Sequence, residues 1–87
     1  MVGKQKLGEV FSYFSKVGVA AIRLTDGDLN LGDRISIEGA TTNVQQTADS
    51  IQIDKTPVQV AKRGQSVGIK VTDKVRSGDV VYKITGA

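Results

Sequence analysis

The chain has 87 residues, 39% of them hydrophobic and 24% charged, with a formal net charge of +3. This is room for one hydrophobic core, and the composition argues against disorder or a coiled coil. Cysteine and histidine are both absent, which removes disulfides, thiolate metal sites, thiol nucleophiles, imidazole bases and Ser-His-Asp triads together.

Lys4, Lys6 and Glu9 leave no apolar stretch before Val10 that could serve as a secretory signal. A cytoplasmic location is therefore expected. Gly3 and Gly8 reproduce the outer spacing of a phosphate-binding loop, but Glu9 and Val10 occupy the places of the required Lys and Ser or Thr. A carboxylate there repels a nucleotide, so no nucleotide hydrolysis and no cofactor are expected. The longest apolar run, Val17 to Leu24, is interrupted by Arg23 and is too short to cross a bilayer. Asp26, Asp28 and Asn30 begin like a calcium loop, yet Leu31 and Ile37 stand where glycine and a bidentate glutamate belong. The segment reads as an acidic turn, and no metal is expected.

Ten glycines punctuate short segments rich in Val, Ile and Thr, the pattern of strands joined by turns. Strands are predicted near 7–15, 19–25, 33–38, 44–54, 57–61, 66–72 and 80–84. The alternations Ala20-Ile22-Leu24, Ile35-Ile37, Val58-Val60, Val67-Ile69-Val71 and Val80-Tyr82-Ile84 each bury one face. Val44, Ala48 and Ile51 also fit one face of a helix, but Ile51-Gln52-Ile53 and the nearby Pro57 favour extended chain. Leu31-Gly32-Asp33 and Ser77-Gly78-Asp79 echo each other as turns that feed strands. An all-β fold follows, a single small closed β-barrel of six to seven strands spanning 1–87 with its core at about 7–84, because closure removes bare strand edges.

Twelve basic residues are spread along the chain. Lys62, Arg63 and Gly64 occupy a predicted turn, with Lys70 and Lys74 following, and these five are the candidate RNA-binding residues. Adjacent cations can meet phosphates, and glycine lets the backbone approach them. The competing reading is a solvated face. Of the aromatics Phe11, Tyr13, Phe14 and Tyr82, Tyr13 is the best candidate for exposure and base stacking. No catalytic residue is assigned.

Read in order, Leu7-Gly8-Glu9-Val10, Leu29 to Gly39, Ile51 to Asp54, Val58 to Ile69 and Val75 to Ile84 resemble the second domain of translational GTPases such as elongation factor Tu. The resemblance implies a small β-barrel acting as a stand-alone translation-factor-like module, with RNA or the ribosome as partner. Lys55 to Arg63 contains no acidic residue, whereas in elongation factor Tu the corresponding stretch helps to hold the aminoacyl end of transfer RNA with acidic side chains. A similar barrel also ends some proteins of the collagenase-like peptidase family, several of which resemble RNA-modification enzymes. That resemblance implies an accessory, protein-interacting subunit of a larger enzyme. Three classes stay open: an RNA or ribosome binder, a protein-interaction subunit and an enzyme in its own right.

Overall fold

Alternating apolar residues make strands throughout the computed structural model, which describes residues 3–85 and has no helix in that span. In chain order they are β1 (Gly3–Phe14), β2 (Val19–Leu24), β3 (Leu29–Asn30), β4 (Arg34–Glu38), β5 (Asn43–Thr47), β6 (Ile51–Ile53), β7 (Thr56–Pro57), β8 (Val60–Ala61), β9 (Ser66–Lys70) and β10 (Val80–Thr85). Eight form one antiparallel sheet in the order β5-β4-β10-β1-β2-β9-β6-β7, and β3 pairs with β8 in a separate ribbon. The inward residues Ala20, Ile22, Leu24, Ile35, Ile37, Val67, Ile69 and Val81 join Leu7, Val10, Leu29, Ile51 and Ala61 in a single core. Burying each of the larger aliphatic side chains contributes about 1.5–3 kcal/mol.

The all-β class is as expected, but the ladder is not closed into a barrel: β5 and β7 are its two ends. Two predicted strands are broken. The segment 44–54 turns a corner after β5, where the Ala48 N–H donates to the Asp33 carbonyl at 2.8 Å and the Ala48 carbonyl accepts the Gly32 N–H at 2.9 Å. Val44, Ala48 and Ile51 are all buried, so their helix-like spacing comes from this corner. The segment 57–61 likewise divides between β7 and β8, and β3 is a strand that alternation was too short to announce. Across the gap between β5 and the end of β9, the Gln46 amide does what a ladder would: Nε2 donates to the Lys70 carbonyl and Oε1 accepts the Thr72 N–H, both at 2.8 Å.

One turn design recurs three times. In Asn30–Asp33, Lys62–Gln65 and Arg76–Asp79 the third residue is a glycine with φ of 91°, 94° and 95°. In each, the fourth residue's side chain accepts the first residue's N–H, at 2.8, 2.7 and 2.7 Å. The glycine supplies the positive φ of a type II turn, and the side chain satisfies a backbone donor as the next strand starts. The β6–β7 turn differs: Asp54 and Lys55 both hold positive φ, 51° and 65°, where the mirror-image hairpin turn favours Asn-Gly. Lys55→Gly should therefore raise stability by about 1 kcal/mol. Thermal unfolding would register this as an increase of about 4–8 °C.

Candidate functional site

The five expected RNA-contact residues are spread along the molecule rather than gathered at one turn. Lys62, Arg63 and Gly64 stand at the start of β9, and Lys70 ends it; four strand steps at about 3.3 Å put about 13 Å between Ser66 and Lys70. Lys74 lies beyond, lining a separate recess with Tyr13, Thr42, Asn43 and Arg76. The turn amides are already used: Lys62 N–H donates to Gln65 Oε1, Arg63 N–H to Asp28 Oδ1 and Gly64 N–H to the Leu24 carbonyl, each at 2.7 Å. Asp28 also sits 3.7 Å from the Lys62 ammonium. Gly64 thus serves the turn, and its N–H is not available to a phosphate.

Three of the five exposed large hydrophobic residues among the described ones, Phe11, Phe14 and Val17, lie elsewhere, on the outer face of β1, β2, β9 and β6. A groove of about 780 Å³ runs across these strands. Its floor follows the register Ala21–Gly68–Gln52, and small Ala21 and Gly68 at its centre leave the sheet concave. One wall is Phe11, Phe14 and Val17, respectively 50%, 52% and 61% exposed. The other is the Ser50–Lys55 stretch. A contiguous apolar concavity with half-exposed phenylalanines marks an interaction site far better than scattered single residues do.

Tyr13 is half-buried, packing against the core on one side and lining the Lys74 recess on the other, while Phe11 and Phe14 are the aromatics that face out. Bulges are the cause. The β1 register shifts between Lys6 and Gly8 against β10 and between Val10 and Ser12 against β2. Each shift swaps the parity of inward residues, so Leu7, Val10 and Tyr13 point inward at spacing three. No period-two reading could place these aromatics.

Charge is unevenly neutralised. Lys4, Lys6, Lys62 and Lys83 have carboxylates at 2.7 to 3.7 Å, whereas among the described residues Lys16, Lys55, Lys70, Lys74 and the four arginines have none within 4 Å. Lys55 and Lys70 line the groove, and Lys16 sits in the hairpin turn between Phe14 and Val17. Away from the groove, where β1 pairs with β10, Lys4 lies 5.1 Å from the Tyr82 ring centre and 2.7 Å from Glu38. The Lys4 hydrogen bond, followed by that of Ser36, holds the Glu38 carboxyl below its ordinary range. A lowered folded pKa stabilises the fold above the unfolded value, and that contribution is lost as pH falls through the folded one. The stability difference between the parent and Lys4→Met, measured by urea unfolding, should therefore be larger at neutral pH and shrink in acid, where only the Tyr82 contact is left. Among the described residues, no three or more Asp and Glu side chains gather where they could hold a metal ion. No helix among the described residues is long and apolar enough to cross a membrane.

No protein-family model matches the chain. It is 44% identical over 80 residues to an uncharacterized protease of Methanocaldococcus jannaschii, covering 91% of this chain and 19% of that protein. It is 38% identical over 81 residues to a collagenase of Porphyromonas gingivalis, covering 92% of this chain and 22% of that protein. The chain thus spans about a fifth of the length of these relatives. In fold it is similar to the crystal structure of the C-terminal domain of a Geobacillus thermoleovorans protein assigned to the U32 peptidases, with a TM-score of 0.83, 21% identity and 91% of each chain covered. These likenesses agree with the resemblance to collagenase-like peptidases and leave the one to translational GTPases without support.

Proposed function

We propose that the chain is a single non-catalytic docking domain that serves a larger collagenase-like enzyme, of peptidase or RNA-modification type, through the groove walled by Phe11, Phe14 and Val17. The observation that carries this reading is that wall: two phenylalanines are left half-exposed beside a floor of small residues, where each could bury its remaining surface against a partner. The relatives support it from a second direction, since the segment is similar to about a fifth of longer proteins named protease or collagenase. The domain adds binding surface and brings no chemistry of its own. Whether it is joined to the enzyme or meets it as a separate chain, the contact is the same.

The test is affinity capture from source-cell extract with and without RNase, with identification of what is retained. The expected result is a collagenase-like protein retained equally in both arms. Capture that RNase abolishes would instead support the RNA reading, with Lys62 and Arg63 as its first residues to mutate.

A further inference from the structure

The groove's rim carries charge that the rest of the molecule does not answer. Four of the eight lysines are paired with carboxylates. Of the other four, Lys55 and Lys70 line the groove and Lys16 sits in the turn between two wall residues. Asp54 is the one carboxylate lining it among the described residues, and it shares the tight β6–β7 turn with Lys55. The face is therefore an apolar concavity with a positive border.

From this we propose that the groove takes an apolar protein segment bordered by carboxylates, an inference that rests on the docking reading above. The apolar centre fills the space over Ala21 and Gly68 against Phe11, Phe14 and Val17. The flanking acids meet Lys16, Lys55 and Lys70. Complementary charge at a rim sets encounter rate and partner choice more than affinity, which is the part an apolar wall cannot supply. A second copy of this chain is a poor occupant. An isologous contact places the same positive border against itself, and each copy carries a net charge of +3.

Two probe peptides with the same Leu-Phe-Leu centre, one flanked by paired glutamates and one by paired lysines, test this against the 87-residue chain by NMR titration. The glutamate peptide should shift the amides of Phe14, Val17, Val19, Gly68 and Lys70. It should bind roughly ten-fold more tightly than the lysine peptide at low salt, as expected for two or three exposed ion pairs, and that margin should shrink as salt is added. Lys55→Glu combined with Lys70→Glu should reverse the preference, and its unchanged spectrum elsewhere would confirm an intact fold. Equal binding of both peptides at the groove, or a preference that survives the reversal, overturns the charge assignment and leaves the docking reading standing. Shifts absent from the groove with both peptides overturn both. So does concentration-dependent dimerisation that broadens these same amides, since the groove would then hold a second copy.

Discussion

Gly8→Ala should lower the stability of the fold by about 3 kcal/mol, at the upper end of what overpacking costs. A Cβ built on Gly8 falls 1.9 Å from the Arg23 carbonyl oxygen, 2.8 Å from its carbon and 3.0 Å from the Leu24 Cα. All three are backbone atoms of the paired strand, so no side chain can swing aside. Nor can β1 retreat, because it is paired with β2 on one edge and β10 on the other. Small domains have only about 5–15 kcal/mol in total, and the loss corresponds to a Tm lower by about 12–24 °C. Gly32→Ala is the informative comparison. Nothing lies within 4 Å of its Cβ position, so only the penalty of its positive φ applies, about 1–2 kcal/mol. Urea unfolding of the two variants should rank them in that order; equal losses would mean that the Gly8 contact is relieved by a backbone shift.

Phe11→Ser combined with Phe14→Ser should weaken association with the collagenase-like partner at least about 100-fold, since two buried aromatic anchors each contribute about 2 kcal/mol or more at an interface. The fold should barely notice. Both rings are half-exposed, and surface changes away from packed features usually stay within about 0.5 kcal/mol. Tyr13→Ser, one residue away, should behave in the opposite way, because Tyr13 packs on the core. Loss of binding with retained stability in the first variant, and loss of stability in the second, separates surface from core along a single strand.

Where side chains simply alternate, the sequence was a sufficient guide: β2, β4 and β9 lie within one or two residues of where Ile22, Ile35 and Ile69 imply them, whereas β10 stands at the expected place but buries Val81 fully and Val80, Tyr82 and Ile84 only in part. The glycine-containing turns were legible for a similar reason, since Gly32 and Gly78 each precede an aspartate that accepts a local N–H. Three features depend on contacts between distant residues and left no local trace. The two bulges in β1 reversed which aromatics face out, and with them moved the candidate site from Tyr13 to Phe11 and Phe14. The corner at Ala48 is held by Gly32 and Asp33, which lie 15 or more residues away. Gln46 looks like any polar strand residue until the end of β9 is seen to lie against its amide. The basic residues illustrate the same limit. Lys62 and Arg63 read as a free cationic pair in sequence, but folding brings Asp28 to the Lys62 ammonium and to the Arg63 backbone N–H, while Lys55 from the β6–β7 turn and Lys70 from β9 come to border one groove.

The docking claim is tested most directly by a photo-crosslinking amino acid placed at position 14, on the groove wall, and in a second variant at position 34, on the exposed Arg34 of β4. Irradiation in extract, followed by mass spectrometry of the products, identifies what touches each face. The groove reading predicts crosslinks from position 14 to a collagenase-like protein and none from position 34. Crosslinks to that protein from position 34 and not from position 14, or to RNA alone from either, would contradict it.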